Sequence, residues 1–229
     1  SGGRNFLLHK INTNYIIELD DDISISNKNF FINILKAFDE EGPSVGIIAF
    51  NIKNYFTKKR LRHEFPFLNK KTKIKKSMEA GWFIGAGHAF RKKMLDKIRF
   101  YNDFYPYGHE EQDLAVRAID AGYAIKFRSD IEIFHKASPV GRTIKDVELG
   151  SLMLSNRLKF VLLNYPLFFF FTQFFLRGLQ TIYQYRSIWV IFMAIKKLWK
   201  HRQYIRKNRK VISNRTLFHL LKIKGQIFF

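Results

Sequence analysis

The sequence contains no cysteine among its 229 residues. Disulfides and thiolate metal sites are excluded, and the absence fits a reducing compartment. Any metal must therefore be held by oxygen or imidazole. Acidic residues are scarce: 19 Asp+Glu stand against 40 Lys+Arg, a formal net charge of +21. They are also unevenly spread, because none follows Glu148. An excess of this size favours an anionic partner, such as a phosphorylated substrate, nucleic acid or lipid headgroups. Internal repeats and Gly/Ser linkers are lacking. The apolar stretch from Val161 to Leu176 is interrupted by Asn164, Pro166 and Gln173. It falls short of the ~20 residues a membrane-spanning helix needs.

What is present centres on Tyr15-Ile16-Ile17-Glu18-Leu19-Asp20-Asp21-Asp22-Ile23-Ser24. The apolar part reads as a buried strand of an α/β sheet. Ligands of such sheets gather just outside the carboxyl ends of the strands. Consecutive carboxylates there repel one another, and a cation is the simplest compensation. Hard oxygen ligands suit Mg²⁺ or Mn²⁺. A phosphate-bearing substrate would use that ion.

The rest of the first part can be arranged around this strand. Gly2-Gly3-Arg4 reads as a glycine turn carrying a cation, and Arg4 could neutralise a phosphate. Ser26 to Asp39 has helical spacing through Phe30, Ile34 and Phe38, closed by Gly42-Pro43. Val45 to Asn51 is a second buried strand. Residues 53–76 are basic and irregular and read as a surface loop. Ala80 to Arg91 is apolar with interspersed glycines, which places backbone close to something; Trp82 offers a wall and His88 a donor. Met94 to Ile98 reads as a short helix. A loop then feeds a helix whose first turn is acidic, with Glu110, Asp113 and Arg117 on one face and Glu111 rotated away toward a cleft. Paired carboxylates repel, which raises one pKa toward the range of a general base. Gly122 ends this helix. Tyr123 to Phe127 and Ile131 to Phe134 read as two short strands. His135 at the end of the second could complete a metal shell begun by Asp22.

Taken in order, Leu19-Asp20-Asp21-Asp22, Gly85-Ala86-Gly87-His88-Ala89-Phe90-Arg91 and Tyr107-Gly108-His109-Glu110-Glu111-Gln112-Asp113-Leu114-Ala115-Val116-Arg117 resemble one known family. Ala121-Gly122-Tyr123 and Phe134-His135-Lys136 follow in the same order. The chain resembles the family 2 inverting glycosyltransferases of the GT-A fold, a group that includes rhamnosyltransferases, over roughly residues 1–145. The resemblance implies a Rossmann-like mixed sheet flanked by helices. It implies a nucleotide-sugar donor, a glycan or lipid-linked glycan acceptor, and Mg²⁺ or Mn²⁺ bound through Asp20, Asp22 and His135. Arg4, Asp20, Asp21, Trp82, Gly87 and His88 would lie on the donor side, with Asp113 and Arg117 toward the acceptor. Glu110 and Glu111 match the family's acidic pair, and Glu111 would be the base. A Glu stands there where the family more often has Asp, so its carboxylate reaches further. The family's first nucleoside-binding strand–helix–strand unit is not found upstream. Because the chain also opens without a start methionine, a fragment or processed chain is expected.

The composition shift places a boundary near residue 150, with a catalytic region over residues 1–150 and a basic, aromatic, helical tail over 151–229. Aromatics beside cations fit a helix lying at an anionic membrane surface, here the cytoplasmic face of the cell membrane. A helical subdomain packed on the core is the plainer alternative. Two rival functions fit parts of the pattern. Asp20 to Ser24 also resembles the nucleophile strand of haloacid-dehalogenase-type phosphatases, but no intermediate Ser/Thr and Lys motifs follow. A non-enzymatic nucleic-acid binder would use the charge and aromatics. No nucleic acid is expected, because the positive charge is densest where the chain is also most apolar.

Overall fold

A computed structural model describes residues 2–68, 72–105, 108–136 and 147–225. The strands are β1 (Tyr15–Leu19), β2 (Ile23–Ser24), β3 (Val45–Asn54), β4 (Ser77–Glu79), β5 (Gly87–Arg91) and β6 (Ala124–His135). They form one mixed sheet in the order β1-β5-β3-β6-β2, with β4 also paired to β6. β3 and β6 run parallel, and the remaining pairings are antiparallel. β3 is buried along almost its whole length. That follows from its unbroken run Val-Gly-Ile-Ile-Ala-Phe, the pattern of a strand covered on both faces.

Two expectations change here. β1, expected to be a buried strand, is an edge strand among the described residues, and of its side chains only Ile16 is fully buried. The two short strands expected near the end of the sheet are one strand, β6. Its register against β3 jumps, so that Phe50 faces Arg128 while Asn51 faces Glu132. The extra residues bulge instead of ending the strand, and Asn51 Nδ2 donates to the Ser129 carbonyl at 3.0 Å.

Helices cover the sheet. α1 (Gly2–Lys10) begins at Gly2, where a glycine turn had been expected. α2 (Phe30–Glu41) buries Phe30, Ile34, Ala37 and Phe38 against β3 and β6. Each such large side chain is worth ~1.5–3 kcal/mol when fully buried. Gly42, at φ +81°, ends α2 in a conformation that favours glycine. α3 (Lys92–Ile98) and α4 (Glu110–Asp120) follow the sequence closely.

The tail is helical: α5 (Val147–Asn164), α6 (Leu167–Tyr185), α7 (Trp189–Lys200), α8 (Arg202–Asn208) and α9 (Asn214–Lys222). Pro166 stands at the N-terminus of α6, where its fixed φ suits a helix start and separates α6 from α5. The composition shift near residue 150 falls inside α5, and the packing runs straight through it. Phe160, Val161 and Leu163 belong to the same core as Phe83, Phe90, Leu114 and Phe127. Among the described residues no helix is long and apolar enough to cross a membrane.

Candidate active site

The chain turns tightly after β1. The Asp20 amide donates to the Ala86 carbonyl at 3.1 Å, and the Ile23 amide to the Asp20 carbonyl at 3.3 Å. β2 then pairs with the end of β6, with Ile23 opposite His135. This pairing carries His135 to the acidic turn across more than a hundred residues of sequence. Asp20, Asp22 and His135 each present a ligand atom, and these atoms lie within 4.8 Å of one another. His135 Nε2 is 3.0 Å from Asp22 Oδ1.

On its other side, His135 Nδ1 bonds to Glu64 in a 3-10 turn at Arg62–Glu64. Glu64 is only 3% exposed, and its second oxygen has no hydrogen-bond partner among the described residues. The donor set fits a hard divalent ion: carboxylates plus an imidazole whose far nitrogen is held by a further carboxylate. Burial alone would lower the His135 pKa. The bond to Glu64 and the charges of Glu64, Asp22 and Asp20 outweigh it and hold the pKa above the ordinary value. A divalent ion would take the place of that proton.

Arg4 occupies the centre of the site. Asn5 anchors its helix, donating to the Tyr101 carbonyl at 2.8 Å and to Asp103 at 2.7 Å. Arg4 Nη2 then lies 3.0 Å from Asp20 Oδ1, Nη1 lies 3.3 Å from Glu111 Oε1, and Nε lies 3.8 Å from Glu18. Gly85 makes room for this: a Cβ there would sit 2.2 Å from Glu111 Oε1. Burial would raise the Glu18 pKa, but the bond and charge of His88, the charge of Arg4 and the Tyr101 hydroxyl together hold it low.

Glu110 and Glu111 open α4, after His109 in the left-handed region at φ 77°. Burial, and then the charge of Glu111, push the Glu110 pKa up to about 7. One Glu110 oxygen lacks a hydrogen-bond partner among the described residues. Glu111 was expected to turn toward a cleft; its carboxylate, 14% exposed, meets Arg4.

Several sequence-predicted residues lie elsewhere. Trp82 is 5% exposed and belongs to the core, so it offers no wall to a ligand. Gly87 is also buried; a Cβ there would meet Ile133 Cδ1 at 2.2 Å, so its small size serves sheet packing. His88 is completely buried. Its Nδ1 is 3.1 Å from the Ile84 carbonyl and its Nε2 3.0 Å from the Tyr101 hydroxyl. It supports Glu18, whose Oε2 lies 3.4 Å from its Nε2, and is itself shut off from solvent. Asp113 is buried and accepts from Arg117 Nε at 2.9 Å and from Asn164 Nδ2 at 2.9 Å. Arg117 donates to the Ile98 and Phe100 carbonyls at 2.8 and 2.9 Å. The two brace α4 against neighbouring backbone, and both also line a cavity beside Tyr101, Asn102 and Asn164. Asp21 is exposed on the turn between Asp20 and Asp22.

Three residues of the site were missed. Glu64 is the single acid between Lys53 and Lys76, and that isolation was a usable signal. Glu18 and Gly85 sat inside stretches already singled out, but neither pattern marked them individually.

No protein-family model matches the chain. An uncharacterized protein of Haemophilus influenzae (strain ATCC 51907 / DSM 11121 / KW20 / Rd) is 45% identical over 95 residues, 42% of this chain and 51% of the relative. The chain thus spans about half the length of that relative. GalNAc-T7, solved with UDP, GalNAc and Mn²⁺, superposes with a TM-score of 0.56 at 11% identity over 87% of this chain and 44% of that one. A mannosyltransferase from Pyrobaculum calidifontis, solved with GDP-Man and Mn²⁺, gives a TM-score of 0.45 at 12% identity over 95% of this chain and 56% of that one. The chain has the mixed α/β architecture of the GT-A glycosyltransferases, a likeness of fold.

Proposed function

We propose that the chain is a metal-dependent, inverting glycosyltransferase that moves a sugar from a nucleotide-sugar donor to a hydroxyl of a surface-glycan or lipid-linked acceptor. The observation that carries this reading is the cluster of Asp20, Asp22 and His135 joined through Arg4 to Glu111. The GT-A fold and the likeness to GalNAc-T7, solved with UDP, GalNAc and Mn²⁺, support it. Asp20, Asp22 and His135 would hold Mg²⁺ or Mn²⁺, with Glu64 orienting the imidazole. When bound, the ion supplies positive charge against the donor diphosphate.

Arg4 is shared between Asp20 and Glu111. An incoming diphosphate competes for the guanidinium, and a guanidinium drawn to phosphate leaves the Glu111 carboxylate free. Glu111 then accepts the proton of the acceptor hydroxyl. The hydroxyl oxygen bonds to the anomeric carbon as the bond to the diphosphate breaks. The nucleoside diphosphate departs with the bonding pair, and attack from the opposite face inverts the centre. The phosphatase and nucleic-acid readings find no support in the fold neighbours.

The test is calorimetric binding of a panel of sugar nucleotides with Mn²⁺, with Mg²⁺ and with EDTA. Metal-dependent binding of one donor, followed by release of its nucleoside diphosphate when acceptor is added, is the expected result. Failure of every donor to bind with either metal would overturn the reading.

A further inference from the structure

The structure leaves one large apolar surface without a partner among the described residues. α6 packs against α5 with Phe169, Phe170, Gln173 and Phe174. Its opposite face carries Phe168, Phe171, Phe175, Leu179 and Tyr183, which recur at helical spacing and are 57–86% exposed. α7 repeats the arrangement. Val190 and Ala194 are buried with Leu154 and Leu158 of α5, while Trp189, Phe192 and Trp199 are 57–67% exposed. Both helices pack on α5 and touch each other, so their free stripes lie on the side away from α5. A folded chain rarely leaves this much aromatic surface in water without a use for it.

We infer that the outer faces of α6 and α7 dock in the plane of an anionic lipid bilayer. Charge selects lipid over a second protein surface. Residues 149–229 carry 15 Lys+Arg and no Asp or Glu. The cations also stand where an interfacial helix would need them. Lys196 and Lys200 are exposed beside the α7 aromatics, and Arg202, Arg206 and Lys207 continue the basic band into α8. Arg202 lies 4.8 Å from the centre of the Trp199 ring. A second copy of the chain would bring two such acid-free surfaces together, and their repulsion opposes association. The helices are amphipathic and too short or too polar to cross, so they lie on the bilayer. Trp and Tyr at this level match the preference of those rings for the boundary between headgroups and acyl chains.

The chain's tryptophans make the test direct, because Trp189 and Trp199 lie on this surface and Trp82 is buried in the core. The 229-residue chain is mixed with vesicles of phosphatidylcholine alone, or of phosphatidylcholine with phosphatidylglycerol, each containing acyl chains brominated at known depth. The expected result is co-sedimentation about tenfold or more stronger with the anionic vesicles, weakened by salt, with tryptophan quenching by shallow bromines. The variant Phe171→Ser/Phe175→Ser/Phe192→Ser should lose binding to both vesicle types while keeping its circular dichroism spectrum. Lys196→Gln/Lys200→Gln/Arg206→Gln keeps the aromatics and should lose only the anionic preference; it serves if the first variant misfolds. Absence of quenching in both vesicle types would overturn the inference. So would a dimer in sedimentation velocity that the serine variant dissolves, since the face would then be a contact between copies. Neither readout needs sugar transfer, so this inference and the proposed activity fail or stand separately.

Discussion

Arg4 Nη1 lies 3.3 Å from Glu111 Oε1, and the same guanidinium reaches Asp20 at 3.0 Å. One cation therefore links the carboxylate assigned as base to a carboxylate assigned to the metal. The Arg4 side chain is 29% exposed and can be drawn away by a stronger anion. Glu111→Gln keeps a hydrogen-bond acceptor for Arg4 but cannot take a proton at neutral pH. Transfer should fall by about 10²–10⁴-fold with donor affinity little changed. Steady-state kinetics and calorimetry on the variant check this; near-normal turnover would move the base elsewhere.

Two glycines two residues apart should respond differently. Gly85→Ala places a methyl 2.2 Å from Glu111 Oε1, at the end of a side chain that can swing. Activity should drop while the thermal midpoint hardly moves. Gly87→Ala places one 2.2 Å from Ile133 in the packed sheet. There the loss should be in stability, about 1–3 kcal/mol as for other overpacked cores. Denaturant melts beside turnover measurements separate the two outcomes.

Glu64 holds the His135 imidazole. Glu64→Leu should weaken Mn²⁺ binding by about 10–100-fold, read by electron paramagnetic resonance of free Mn²⁺. Glu64→Asp should restore part of it. Unchanged affinity in both variants would leave Glu64 as a loop anchor only.

The acidic pair predicts a pH dependence of stability. The folded-state pKa of Glu110, about 7, stands above its ordinary value of 4.5. A raised carboxylate binds its proton more tightly in the folded chain. Its contribution to stability is therefore full below pH 4.5 and is lost as pH rises through 7. Glu110→Gln should flatten that decline: little difference from wild type at acid pH, and greater stability above pH 7 in chemical denaturation.

Much of the fold follows from local pattern. Helical spacing located α2 and α4, and the unbroken apolar run located β3. Period says nothing about which strands become neighbours, so the edge position of β1 and the continuity of β6 across its bulge were hidden. The site was legible where chemistry was dense. Asp20, Asp22 and His135 were assigned together on sequence, and the structure brings their ligand atoms together. It was illegible where a residue's task is geometric. His88 and Asp113 carry chemical groups, but burial turns them into internal braces. Gly85 carries no group at all, yet it decides where Glu111 can sit. Glu64 comes to His135 across 71 residues, and no local pattern encodes that meeting.

The bond between Asn164 at the end of α5 and Asp113 on α4 has a further consequence. It ties the strut that carries α6 and α7 to the helix that begins with Glu110 and Glu111. With the outer helices resting on a bilayer, the carboxylates would stand at one set height above the lipid. Under the proposed activity, acceptors whose reactive end reaches that height would be served and shorter or longer ones would miss the carboxylate, so the product's length would be written in the dimensions of the scaffold.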